Sequence, residues 1–296
     1  MNQVTDQQII EILRKEAVPA LGCTEPVACA LACAKCKEVL GGVPERLDVL
    51  VSGNIYKNGM GVGIPGTGMV GLPIAAALGA VCGKSEYGLE VLKEVNVGDN
   101  LQRAKDMLGQ VTVSLKEDAP DKLYAEALAT KGNDTVKVII AHTHTNIVLV
   151  EKNGDEIFKR EFRLDTSKPE DKGPELSVKR IWDFVHEVDV KDIEFVLQGA
   201  EMNKAISAEG LNSEYGLQIG KTLKENIDKG LLEDDLLNRT LIRATAASDA
   251  RMDGCPKPVM TNSGSGNQGI TVYLPVVVAA EKFGASREQL ARALAL

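Results

Sequence analysis

No basic tract occurs anywhere in the chain: 34 lysines and arginines are scattered among 42 aspartates and glutamates, for a formal charge of −8. Nucleic acid and anionic membranes are therefore poor partners. A long uninterrupted apolar run is missing too. The longest, MVGLPIAAALGAVCG, is broken by glycines and is too short to span a bilayer comfortably. The opening MNQVTDQQIIEILRKE has no positive region followed by an apolar stretch, so no secretory signal is expected and the reading is cytoplasmic. Six cysteines in 296 residues are too few for a disulfide scaffold, which leaves core packing, metal binding or catalysis in a reducing compartment. Nor is there a repeat at the periods that mark solenoids or propellers.

What is present is an ordinary globular composition, 44% hydrophobic and 26% charged, on a chain long enough for one large domain or two smaller ones. Thr5 and Gln8 form a capping-box pattern ahead of Ile9, Ile10, Ile12 and Leu13, which predicts a first helix from about Asp6. A second helix is predicted from the GCTEP motif to Leu40, with Thr24 as its cap, Pro26 in its first turn, and Gly41 and Gly42 to stop it. A strand (RLDVLV), a glycine-rich shaped loop (Gly53–Gly68), an apolar helix (Leu72–Val81) and an amphipathic helix (Glu90–Leu108) are expected next. VTVSL, KLYAEALAT, VKVIIAHTHTNIVLV and EIFKREFRL, separated by KGND and KNGD turns, then predict an antiparallel meander. DTSKPEDKGPE reads as a linker, and helices are expected over Leu176–His186, Lys191–Ala200, Asn203–Lys229 with breaks, and Leu231–Ala247. The fold class is α+β: an antiparallel β-meander with flanking helices over residues 1–165 and a mainly helical catalytic part over residues 166–296. Ser286 caps a last helix that runs to Leu296 without a stop signal, as expected of a helical part cut short at its C-terminus.

Several groups could carry chemistry. Cys255 sits on a turn made rigid by Gly254, Pro256 and Pro258, either as a small buried hydrophobe or as a thiolate aimed at a ligand; a Cys-Pro turn is a setting for iron–sulfur ligands. The loop NSGSGNQG offers Ser263, Ser265 and Asn267 as polar contacts beside glycines that admit a ligand, and it opens a helix whose N-terminus suits a carboxylate; otherwise it is a flexible turn. Cys23 stands at the start of the second helix, where the dipole favours its thiolate as a base, nucleophile or ligand. Asn54, Tyr56 and Lys57 are polar handles on a second glycine-rich cradle. Cys29, Cys33 and Cys36 have the C-x3-C-x2-C spacing of a radical-SAM cluster, but one face of an Ala-rich helix explains them as packing residues. His142 and His144 are expected on one strand face, a spacing that two zinc ligands use and that a cleft wall or solvent face also explains. His186, one turn after Trp182, reads as a packing or surface residue.

Taken in order, GCTEP, SGNIYKNGMGVGIPGTG, HTHTNI and DGCPKPVMTNSGSGNQG resemble the L-cysteine desulfidase (CyuA/YhaM-like, UPF0597) family, which is related to the iron–sulfur L-serine dehydratase alpha chains. The resemblance spans essentially the whole chain. It implies a [4Fe–4S] lyase that converts L-cysteine and water to pyruvate, ammonia and sulfide by α-proton abstraction and β-elimination. It further implies Cys255 as the first cluster ligand and Cys23 as the proton acceptor; the Ser263–Asn267 loop, with Asn54 and Lys57, is the expected substrate-binding set. The family's other ligand cysteines lie further towards the C-terminus, and no cysteine follows Cys255 here, so they are expected beyond Leu296. L-Serine dehydration by the same cluster, a non-catalytic amino-acid-binding protein and a pyridoxal-phosphate lyase are the rival readings, although the alternating strand–helix pattern of the last is missing. A small amino acid is the expected partner, and a homo-oligomer is left open.

Overall fold

The computed structural model describes residues 4–160 and 176–296. The chain divides into two compact units that interleave in sequence: one comprises residues 20–165 and 252–257, the other residues 1–19, 166–251 and 258–296. The linker at 165–175 and the part of EIFKREFRL beyond Arg160 lie outside the described residues.

In the first unit a six-stranded sheet runs from edge to edge as Val111–Leu115, Arg46–Val51, Tyr124–Lys131, Asp134–Ala141, Ile147–Lys152 and Asp155–Lys159. The last four strands are the expected antiparallel meander. Val111–Leu115 instead pairs parallel to Arg46–Val51, a non-local pairing that strand pattern alone does not reveal. Lys152 and Asp155 face each other across an Asn153–Gly154 turn with both residues at positive φ, the geometry for which Asn-Gly is favoured.

The helices Thr24–Leu40 and Leu72–Val81 form the core with this sheet. Both are buried nearly all round, so neither has the polar stripe of a surface helix. Small residues permit the contact: a Cβ on Gly79 would collide with the backbone of Ala30. Gly41, in the left-handed region, ends the first of these helices as expected.

Three expectations need correction here. The segment at 53–68 is not all loop: Gly53–Gly59 is helical, because Ile55 is buried and Gly59 allows close approach to Leu72. The amphipathic helix begins only at Asn100, after a 3-10 turn over Ser85–Glu90, and runs to Met107. The cap of the Thr24–Leu40 helix is Cys23, with extended backbone angles, and not Thr24.

The second unit is helical. Thr5 and Gln8 make the expected capping box, with Gln8 Oε1 accepting from the Thr5 amide at 2.9 Å. Ile9 and Ile10 of this helix pack with Phe184, Val185 and Ile193. The expected helices appear over Val178–Glu187, Val190–Ile193, Val196–Asn212, Ile219–Asp228 and Leu236–Met252, although most boundaries move by several residues. Gly210 meets the Ala246 carbonyl so closely that no side chain fits between Val196–Asn212 and Leu236–Met252. Gly266–Phe283 is one helix with Pro275 inside it, so the proline neither ends nor delays it. Among the described residues no helix is long and apolar enough to cross a membrane.

Candidate functional site

Cys23 is 6% exposed and occupies the cap position of a helix without using its side chain as a cap. The thiol instead donates to Glu25 Oε2 at 2.7 Å. Thr24 Oγ1 approaches the same oxygen at 3.4 Å, and Asn58 Nδ2 donates to Oε1 at 3.2 Å. Burial pushes the Glu25 carboxyl upward, but the Cys23 thiol, the residue's own backbone amide, the charge of His144 and the Asn58 amide together outweigh it and hold the group below its ordinary value. Its place in the first helical turn further suits a negative charge.

A tight turn flanks this cluster in the same unit. A Cβ on Gly22 would come within 2.6 Å of Pro65 Cγ. Two residues before Pro65, Gly63 abuts the Asp253–Gly254 peptide, and the Gly66 amide donates to the Gly254 carbonyl at 3.3 Å. Thr67 fixes the turn from within, donating to the Ile64 carbonyl at 2.7 Å and accepting from the Met69 amide at 2.9 Å. The Gly63–Gly66 turn thus packs against the residue before Cys23 and against the residue before Cys255. Cys255 is 1% exposed.

The NSGSGNQG loop belongs to the helical unit. Asn262 and Ser265 exchange backbone hydrogen bonds at 3.1 and 3.0 Å across Ser263 and Gly264, both at positive φ. Ser263 is exposed, while Ser265 is half-buried and caps the Gly266–Phe283 helix by accepting from the Gln268 amide at 3.3 Å. Asn267 Oδ1 accepts from Arg251 Nη1 at 3.0 Å and from Ser248 Oγ at 3.4 Å. Arg251 is 3% exposed, and its guanidinium lies so flat against Gly266 that a Cβ there would collide with it. A buried cation and a helix N-terminus at one place are features that suit an anion. The loop is held from behind by Asn203, fully buried, whose amide accepts from the Met260 backbone at 2.9 Å and donates to it at 3.3 Å. Thr261, also fully buried, pairs with Val18 through backbone and hydroxyl.

Other expected groups are not brought together. Asn54 lines a surface hollow of about 320 Å³ with Ser52, Lys116 and Asp121, and Lys57 is exposed on the same helix; it is Asn58 that reaches Glu25. His142 and His144 do not share a strand face. The strand ends at Ala141, His142 turns to φ +69°, and its amide and ring both engage Asp121, at 2.8 and 2.9 Å. His144, by contrast, acts on Glu25. Cys29, Cys33 and Cys36 are fully buried in the core, as packing predicts, and burial pushes the Cys29 and Cys36 thiols up to about 12 and Cys33 well above its ordinary value. Trp182 and His186 form an exposed pair with ring centroids 4.5 Å apart.

Among the described residues, no three His, Cys, Asp or Glu side chains are placed to hold a metal ion. These residues by themselves therefore do not fit a four-iron cluster, for which Cys255 is a single thiol. Glu25, Asn58 and Arg251 are the residues that sequence reasoning missed. Only the Glu in GCTEP, two places after a cysteine at a helix start, carried a visible signal.

The family model described as serine dehydratase alpha chain matches residues 86–296, a span that includes Cys255 and the Asn262–Gly269 loop but not Cys23. The chain is 49% identical to a UPF0597 protein of Actinobacillus pleuropneumoniae, the alignment covering 98% of this chain and 67% of the relative. It is 48% identical to one of Dichelobacter nodosus, over 99% and 68% of the two chains, and 46% identical to one of Parabacteroides distasonis, over 100% and 69%. No solved structure matches it. The chain belongs to the serine dehydratase alpha-chain family, and within it stands with the UPF0597 proteins.

Proposed function

We propose that the protein is an amino-acid lyase of the β-eliminating kind, an L-cysteine desulfidase that forms pyruvate, ammonia and sulfide, with L-serine as the competing substrate that the family description favours. The single observation that carries this reading is the Cys23 thiol set against the Glu25 carboxylate at 2.7 Å, a sulfur held at a helix start where it can take a proton from carbon. Elimination needs that acceptor and a group to hold the substrate's carboxylate. The second role is assigned to the corner made by Arg251, Ser263, Ser265 and Asn267 at the start of Gly266–Phe283, where buried charge and helix dipole favour an anion. The two roles can be tested separately.

Cys255, buried against the Gly63–Gly66 turn, is proposed as one thiolate ligand of an iron–sulfur cluster that the described residues do not complete by themselves. No step of the proton chemistry above is assigned to the cluster. All six cysteines are thiols rather than disulfides, which supports a cytoplasmic location.

The test is anaerobic. The complete gene product is reconstituted with iron and sulfide, and pyruvate is measured from L-cysteine and L-serine in parallel. Pyruvate lost in Cys23→Ala while iron content is kept supports the lyase and its acceptor, and the faster substrate names the activity. Amino-acid binding without pyruvate from either substrate overturns the lyase in favour of a binding protein.

A further inference from the structure

Cys23 and Glu25 present a choice that the helix position alone does not make. A helix N-terminus favours thiolate, but a carboxylate beside the sulfur opposes it. The geometry decides. A sulfur and an oxygen only 2.7 Å apart share a proton, since two anions so close would repel. The carboxylate is the better-supported anion of the two: Asn58 donates to its other oxygen, its place is the first helical turn, and its own backbone amide donates to it. The titratable groups acting on it are Cys23 and Cys29 of its own helix and His144 from the turn after Asp134–Ala141.

We propose that Glu25 is the positioning residue for Cys23 and the destination of its proton: Cys23 rests as a thiol and passes its proton to Glu25 as its sulfur takes the α-proton of the substrate. The inference rests on the reading of Cys23 as proton acceptor. In the step, the substrate Cα–H bond breaks and a new S–H bond forms at Cys23. The old Cys23 S–H bond breaks, and an O–H bond forms at Glu25. The electron pair of the Cα–H bond becomes the Cα–Cβ double bond, and the pair of the Cβ–S bond leaves with sulfur as hydrosulfide. Glu25 begins as carboxylate and ends as carboxylic acid, while Cys23 is a thiol before and after. Asn58 keeps the receiving carboxylate from rotating away, and His144 supplies positive charge near it when protonated.

The probe is iodoacetamide, which reacts with thiolate, with the Cys23 peptide quantified by mass spectrometry across pH in wild type, Glu25→Gln and Glu25→Asp. Removing the negative charge is expected to lower the pH midpoint for Cys23 alkylation by about one unit, so that Glu25→Gln reacts about tenfold faster near neutral pH. Glu25→Asp, which restores a carboxylate, is expected to fall between the two. An unchanged midpoint in Glu25→Gln, or a lower one in wild type, overturns the inference.

Should the Glu25 variants fail to fold, the infrared S–H stretch of the wild-type protein at pH 7 gives the same answer. A band that disappears in Cys23→Ser supports a resting thiol, and no such band means a resting thiolate and overturns the proposal. Neither measurement needs turnover. A shifted midpoint without pyruvate therefore removes only the lyase reading, and pyruvate with an unshifted midpoint removes only this one.

Discussion

The amide of Gly66 donates to the carbonyl of Gly254 at 3.3 Å, so the residue preceding Cys255 is fixed by a turn far earlier in the chain. Gly63 completes the contact by leaving room for the Asp253–Gly254 peptide.

Gly63→Ala is expected to force these two backbones apart. Overpacking of this kind costs about 1–3 kcal/mol, or roughly 2–4 °C of melting temperature per kcal/mol for a chain of this size. Thermal unfolding should show the loss, and native-state alkylation of Cys255 should quicken. Gly61→Ala, where nothing lies within 4 Å of the added carbon, is the control and should do neither.

Glu25 gives stability a pH dependence of known sign. Its folded value lies below its ordinary one, so its contribution is present above the unfolded value of about 4.3 and is lost as pH falls through the lowered folded value. Urea midpoints recorded from pH 6 down to pH 3 should fall less steeply in Glu25→Gln than in wild type. Parallel curves would contradict the shift.

Asn203→Leu leaves a buried backbone amide and carbonyl at Met260 without their partner. Each unmet group costs about 1–3 kcal/mol, so a loss of about 2–6 kcal/mol is expected in denaturant unfolding. Faster amide hydrogen exchange at Met260–Ser265 should accompany it, because the loop loses its rear support.

Arg251→Gln removes the buried cation behind Asn267. The affinity for amino acid, measured by calorimetry, should weaken about tenfold, equivalent to about 1.4 kcal/mol. Unchanged affinity would move the carboxylate-binding role away from this corner.

Cys29, Cys33 and Cys36 should resist thiol reagents in the native protein and react together on unfolding, since all three are fully buried and their thiols are held protonated. Mass spectrometry of the labelled peptides distinguishes this from the slow native reaction expected at Cys23.

Local signals carried much of the fold. Thr5 and Gln8 announced a helix, Asn153 and Gly154 a hairpin, and Gly41 a helix end, because each encodes a backbone geometry within a few residues. The parallel pairing of Val111–Leu115 with Arg46–Val51 was not legible, since register between distant strands is set by the assembled core. The glycines of Gly53–Gly59 disguised a helix whose stability comes from burying Ile55. At the site, Cys23, Cys255 and the serine-glycine loop stood out by residue type. Asn58 and Arg251 did not, because a lone amide or guanidinium gains meaning only from what it touches. The histidines misled for the converse reason: alternate positions share a face only while the strand lasts, and it ends at Ala141.

Six residues, 252–257, belong to the sheet-bearing unit although the chain on either side of them belongs to the helical one. During synthesis the sheet and its two core helices can form early, but the Gly63–Gly66 turn must wait for about eighty more residues beyond the linker before its partner peptide is made. The surroundings of Cys255 are therefore among the last parts of that unit to be assembled, and cutting out residues 20–165 as a fragment would leave the turn without the backbone it was shaped to receive.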